Sequence, residues 1–220
     1  MHFHLPKPLH GWRQLAGEVG IIVLGVLIAL TFEQLADEWQ WQHKVAVVRR
    51  ALMGELGNDR ARWEYDMSKV RCLTNEVDQV DHWNQAGATG VRPATPMLEA
   101  GGFFWMHSAN WNLATGSQTL DHFPVDEQLA LAALYDGIAH RQIDIIKATD
   151  QIDQVLAQAP LASDVQGQRE LSGAIGSLRR KIRSLTSNVG YMRRHFDALR
   201  VKPDRSDFGA DIDDKCVGAT

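Results

Sequence analysis

Residues Val19–Phe32 read VGIIVLGVLIALTF, fourteen residues without a charged side chain. At about 1.5 Å per helical residue this stretch covers roughly 21 Å, which is less than the roughly 30 Å hydrocarbon core of a bilayer. Extending the segment back to Gln14 adds one charge, Glu18, and makes it long enough to span. The sequence therefore predicts a transmembrane anchor at residues 14–35, preceded by a tail at residues 1–13.

Two other interpretations fit an apolar run near the N-terminus. A cleaved signal peptide needs small residues at positions −3 and −1 of the cleavage site, and Ala29-Leu30-Thr31 and Leu35-Ala36 offer only poor sites. A buried helix of a soluble protein is the other interpretation. Residues Ile21–Leu30 are apolar on every side, and a chain of this length rarely buries such a helix completely. The uncleaved anchor is therefore favoured.

Glu18, Gly25 and Ala29 lie at i, i+7 and i+11, which places them on one side of the anchor helix. Small residues four apart let helix backbones approach closely in lipid. The three residues are thus candidates for a membrane-helix packing face. Gly and Ala are also common in membrane helices for other reasons, so the alternative of no packing role stays open.

The charges that flank the anchor predict its orientation. Lys7 and Arg13 precede it, whereas Glu33, Asp37 and Glu38 follow it. Because cytoplasmic flanks are enriched in Lys and Arg, the charges nearest the anchor favour a cytoplasmic N-terminus, although the Lys and Arg count is nearly even once Lys44, Arg49 and Arg50 are included. We expect a single-pass protein of the bacterial inner membrane with most of its chain in the periplasm and with the lipid bilayer as its first partner.

Composition limits what the rest of the chain can be. The protein has 220 residues, 45% of them hydrophobic, so that residues 36–203 suffice for one domain with its own core. The net charge of −4 argues against a nucleic-acid partner. Cys72 and Cys216 fit no metal-binding spacing, and whether they pair in an oxidising compartment is left open.

Apolar residues at steps of three and four predict an all-α fold. One stripe runs from Val45 to Val80 and ends before Gly87, which predicts that the transmembrane helix continues into a long amphipathic helix. Residues 86–102 are predicted to form a loop. A short helix at Ser108–Ser117 and a helix that opens near Pro124 follow.

A last helical region is predicted between Ser163, which forms a capping box with Gln166, and Pro203. Its apolar residues form a heptad seam that is typical of a coiled coil. Because each amphipathic stripe needs a partner to bury it, we expect an antiparallel helical bundle. Residues 204–220 are predicted to be a disordered acidic tail.

The segment from Trp111 to Tyr135 is predicted to hold the bundle together. Trp111 lies on a helix too short to be stable without packing. Leu120 and Phe123 follow at positions suited to closing the open end of the bundle, before Pro124 restarts the chain. The alternative is that Trp111 is exposed and binds a ligand or partner.

No catalytic, cofactor or metal site is predicted. His107, His122 and His140 accompany no HExxH, ExxH or calcium-loop pattern. The last helical region carries a cluster of basic residues that forms either a solvated surface or a contact for anionic lipid or an acidic partner. The members of this basic cluster are Arg179, Arg180, Lys181, Arg183, Arg193 and Arg194.

Two stretches resemble a family of uncharacterised single-pass bacterial membrane proteins. The first contains the Gly17-Glu18 dipeptide, an apolar run at Val23–Leu30 and a polar-aromatic exit at Glu33–Trp39, although it lacks the paired Asn of that family. The second is WNLATGSQTLDHFPVDEQLALAALY, residues Trp111–Tyr135. The resemblance implies a membrane anchor and a helical domain of unknown function, with no catalytic residues.

These observations favour a non-enzymatic interaction protein, an accessory or scaffold subunit of a membrane complex that binds a membrane protein or a second copy of itself. The alternative is an extracytoplasmic helical domain that senses a ligand. Such a sensor must act through a partner, because the N-terminal tail is too short to be an output module.

Overall fold

One helix contains both the apolar stretch and the stripe that follows it. The computed structural model describes residues 11–101 and 103–206, without the side chains of residues 13 and 14. Helix α1 spans Trp12–Gln85 and ends as predicted before Gly87, which has a φ of +83°. The predicted tail at residues 1–13 and the acidic tail at residues 204–220 lie largely outside the described residues, as does Cys216.

The all-α prediction is confirmed, since 82% of the described residues are helical and none of them lies in a strand. After α1 come the short helices α2 and α3, a 3₁₀ turn at Thr119–His122, the long helix α4, a second 3₁₀ turn at Ala159–Leu161, and helices α5 and α6. These helices are α2 (Pro96–Glu99), α3 (Ala109–Gly116), α4 (Val125–Gln158), α5 (Val165–Ser187) and α6 (Val189–Ala198).

The chain divides into two compact units, residues 1–47 and residues 48–220. In the first unit, the described residues are exposed except for Val45, which is buried, and Trp41, which is half-buried. In the second unit, apolar side chains of α1, α4 and α5 form the main core, together with Met97 and Leu98 of α2.

Helices α1 and α4 run in the same direction within the second unit. Arg49 contacts Glu127, and further along both helices Asp66 contacts Arg141. Helix α5 runs against both of them: Asn84 of α1 bonds to Ser172, and Asp144 of α4 accepts a hydrogen bond from Ser184. The arrangement thus differs from the simple antiparallel bundle expected, because residues 86–124 carry the chain back along α1 before α4 begins.

Two details of the last helical region also differ from expectation. The N-cap of α5 is Asp164, whose Oδ1 accepts the Gly167 N–H at 2.8 Å, so the predicted capping box of Ser163 and Gln166 was wrong by one residue. The expected continuous seam is divided between α5 and α6 at Asn188. Leu185 and Met192, on either side of this break, are both buried.

Candidate functional site

The apolar surface of the anchor is the first candidate site. Every residue from Val19 to Phe32 is exposed, and Ile21 and Phe32 are 75% and 68% exposed. By length and composition, α1 contains one segment able to cross a membrane. Glu18, Gly25 and Ala29 are all exposed, and a Cβ added at Gly25 would meet nothing within 4 Å. Their role in helix packing remains a prediction.

The second candidate site is the return segment, residues 97–110, which lies along α1. Four carboxylates of α1 accept its backbone N–H groups. Glu76 accepts from Met97 and Leu98 at 3.0 Å, Asp66 from Phe104 at 3.1 Å, Asp59 from His107 at 2.9 Å, and Glu55 from Asn110 at 2.9 Å. The side chains therefore provide the acceptors that this largely irregular backbone lacks, as buried N–H groups require.

These carboxyl groups sit in a protected environment. Asp59 is fully buried and its pKa is raised to about 7, mainly because burial disfavours the charged form. Burial likewise raises the pKa of Asp66 to about 6, against the opposing effect of Arg141, whose Nη2 lies 2.8 Å from Asp66 Oδ2. Burial also raises the pKa of Glu76.

Trp111, on α3, is connected to this row of carboxylates through Tyr135. Its ring stacks on Tyr135 at a centroid distance of 4.7 Å and an interplanar angle of 13°. The Tyr135 hydroxyl donates to Glu55 Oε1 at 2.7 Å, and burial together with this bond raises the pKa of Tyr135. Tyr135 is buried, whereas Trp111 is half-buried. Trp111 is thus packed on Tyr135 but not fully buried, so its environment lies between the two predicted alternatives, buried and exposed.

The other apolar residues of the Trp111–Tyr135 segment differ in burial. Phe123 is buried, with the Arg49 guanidinium 4.8 Å from its ring centroid. Leu120 is half-buried. Leu113 is 67% exposed, so it does not support α3 by packing as Trp111 does.

The basic cluster does not act as one group. Arg179 is bound to α1, with its guanidinium nitrogens 2.5 Å from Asp78 and 2.6 Å from Asp81. These ion pairs raise the pKa of Arg179. Arg180, Arg183, Arg193 and Arg194 are exposed and Lys181 is half-buried. One member therefore has a structural role and the others form a basic surface.

A cavity of about 280 Å³, lined by both polar and apolar side chains, lies between α4 and the break that separates α5 from α6. Arg141 is among its lining residues and is only 7% exposed. The Arg141 Nε has no hydrogen-bond partner in the described part of the chain. Sequence reasoning missed this cavity because it depends on the break at Asn188.

The three histidines considered as ligands have separate surroundings. His107 lies near Asp59 and Arg62, and His140 lies 3.5 Å from Asp136 on the same helix. Among the described residues, no group of three or more His, Cys, Asp or Glu side chains is placed to hold a metal ion.

Sequence reasoning also missed the four carboxylates and Arg141, although a signal was present. Steps of four and three from Leu52 pass through Leu56, Asp59, Trp63 and Asp66, so that two acids occupy positions of the apolar stripe. On α4 the same steps lead from Ile138 to Arg141. Acids in the apolar stripe of α1 and an arginine in that of α4 indicate that these charges pair where the two helices pack together.

Comparison with known proteins finds no matching family model, no matching curated protein and no matching solved structure. The family resemblance therefore rests on the two quoted stretches alone.

Proposed function

We propose that this chain is a single-pass inner-membrane protein whose helical domain binds another membrane protein or a second copy of itself, without catalysing a reaction. The observation that carries the proposal is the exposed apolar surface of Val19–Phe32. Monomeric soluble proteins rarely leave a contiguous apolar surface of this kind in water, and a bilayer is the partner that would cover it.

Alkaline carbonate extraction of membranes tests the anchor. The wild-type chain is expected to stay in the pellet. The double substitution Val23→Lys with Leu27→Lys should release it, because two charges at the centre of a span oppose insertion. The matched control places the same charges on exposed apolar residues of α4, Val125→Lys with Leu129→Lys, and should stay in the pellet. Release of the wild-type chain would contradict the proposal.

We further propose that the helical domain lies in the periplasm, supported by Lys7 and Arg13 before the anchor and by the lack of Lys or Arg between Glu33 and His43 after it. Reporter fusions at Thr220 test this orientation. A reporter active only outside the cytoplasm should be active there. Activity of a cytoplasm-only reporter would reverse the orientation.

A pull-down from detergent-solubilised membranes tests the interaction. A partner recovered in fixed stoichiometry, or a second copy of the chain, is expected. Trp111→Ala provides a variant at a half-buried position of α3, and Leu113→Ala is its control on the same helix. Recovery of an unaccompanied monomer would count against an accessory or scaffold role.

A ligand-sensing domain is the second candidate function, and the cavity beside Arg141 favours it. Small-molecule sites are concave and combine apolar walls with a few placed polar groups. A sensing role would require a membrane partner to transmit the signal, so both candidates predict a partner in the pull-down. Ligand binding to the isolated full chain distinguishes them.

A further inference from the structure

The cavity beside Arg141 arises from two features of the packing. Helix α5 ends at Ser187 and α6 begins at Val189, so the helix is interrupted at Asn188. Helix α6 then packs closely on α4 at Gly137, where an added Cβ would lie 2.9 Å from the Met192 sulfur. The close approach on one side and the break on the other leave the space of about 280 Å³ between them.

The cavity has an apolar part. Trp63, Leu185 and Met192 line it, and all three are buried. Trp63 is held by Phe196, with ring centroids 5.9 Å apart. This packing restricts the Trp63 ring, so the apolar part is preformed and suits a short hydrocarbon group.

A cationic group lies beside this apolar surface. The Arg141 Nη2 is bound to Asp66, while its Nε has no acceptor. Buried donors are nearly always satisfied, and one without a partner in the protein indicates an acceptor from outside it. A carboxylate is the acceptor that fits a guanidinium best.

Anionic groups line the same cavity. Asp144 accepts a hydrogen bond from Ser184 through Oδ2, and Asp136 lies at the exposed end near His140. The Arg141 charge is already balanced by Asp66, so a purely anionic ligand would be repelled by Asp144 and Asp136. A ligand that carries both charges can place its negative group at Arg141 and its positive group at the Asp side chains.

We propose that this cavity binds a small zwitterion of the α-amino-acid type. Its carboxylate binds Arg141, its ammonium group binds Asp144, and an apolar side chain packs against Trp63 and Met192. The volume lies just below the usual range of small-molecule pockets, about 300–1,000 Å³, which suits a ligand no larger than a single amino acid. The inference rests on the second candidate function and names the ligand class that it would take.

Isothermal titration calorimetry on the purified full chain in detergent micelles tests the proposal. The probes are glycine, L-leucine and L-phenylalanine, which share the charged groups and differ in apolar size. For the tightest-binding probe, the matched amino-acid amide lacks the carboxylate and the matched N-acetyl derivative lacks the ammonium charge. We expect at least one free amino acid to bind, and both derivatives to bind at least tenfold more weakly. Absence of binding by all three at 10 mM, or equal binding of either derivative, would overturn the proposal.

Asp144→Asn is the decisive variant, because removing Arg141 would leave Asp66 buried without its partner. It should weaken binding at least tenfold, whereas Asp150→Asn, an exposed acid of the same helix outside the cavity, should bind as the wild type does. Binding by Asp144→Asn equal to that of the wild type would also overturn the proposal. Carbonate extraction of Asp144→Asn should still leave it in the pellet, so loss of the ligand site is distinguishable from loss of the anchor.

Discussion

Asp59 and Asp66 occupy positions of the α1 stripe where apolar side chains would pack, and each accepts a backbone N–H of the return segment. A carboxylate there loses hydration but provides an acceptor at a fixed place. A buried ion pair such as Asp66 with Arg141 contributes little net stability, although removing one partner is costly. These polar positions therefore determine which part of the return segment lies against which turn of α1.

The pKa of Asp59 predicts how stability changes with pH. It is raised from 3.8 to about 7, so the folded protein binds this proton more tightly than the unfolded chain does. The resulting stabilisation is fully present below about pH 4 and is lost as the pH rises through 7. Each unit of pKa difference corresponds to about 1.4 kcal/mol.

We expect the melting temperature of the full chain in detergent micelles to fall between pH 4 and pH 7. Asp59→Asn should flatten this fall, because the amide does not titrate and keeps one acceptor for His107. Asp150→Asn, at an exposed position, should leave the profile unchanged. A wild-type melting temperature that rises steadily over this pH range would contradict the assignment.

Trp111→Ala is expected to destabilise the domain by about 1–3 kcal/mol. This loss is smaller than the roughly 3–5 kcal/mol that truncation of a fully buried aromatic costs, because Trp111 is half-buried and its main contact is the stack on Tyr135. Circular dichroism of the full chain should show a lower melting temperature. Leu113→Ala, on the same helix but 67% exposed, is the control and should melt as the wild type does. Equal melting of the two variants would leave Trp111 with a binding role alone.

At the scale of elements, the sequence predicts helices better than breaks. Gly87 and Pro124 are strong local signals, and α1 and α4 end and begin beside them. Asn188 carries no such signal, and the apolar steps continue across it, so the break follows from packing on α4. Part of the return segment was predicted as a loop, but the acceptors of its N–H groups lie on a helix 21 to 55 residues away, as with Met97 and Glu76 or Asn110 and Glu55.

The first turn of α5 allows a prediction with an internal control. A Cβ at Gly167 would lie 2.1 Å from the Leu161 carbonyl oxygen, whereas one at Gly173 would meet nothing within 4 Å. Gly167→Ala should therefore lower stability by at least about 1–3 kcal/mol through steric overlap with backbone. Gly173→Ala should raise stability by up to about 1 kcal/mol, because Ala is the better helix former. Thermal unfolding of the two variants checks both signs, and a stabilising Gly167→Ala would contradict this turn geometry.

At the scale of the whole molecule, the first and last helices of the second unit depend on each other. Phe196 of α6 is fully buried against Trp63 of α1, and Arg60 of α1 bonds to Asp197. Contacts between such distant parts of the chain make the unit fold as one cooperative structure.

Phe196→Ala should therefore destabilise the entire unit. A cost of about 3–5 kcal/mol is usual for a buried aromatic, a large part of the roughly 5–15 kcal/mol of a typical domain. Circular dichroism and tryptophan fluorescence should report one coincident transition at a lower temperature. Leu129→Ala, 64% exposed on α4, should change little. Separate transitions by the two probes would show that α6 unfolds independently.

The contact between Trp63 and Phe196 also has a consequence during biosynthesis. Phe196 leaves the ribosome about 130 residues after Trp63, and translation at about 5–20 residues per second makes the interval on the order of ten seconds. For that time the apolar stripe of α1 has no partner from the last helix. The nascent chain is then open to wrong association, so its yield should depend on a chaperone that holds the stripe until synthesis is complete.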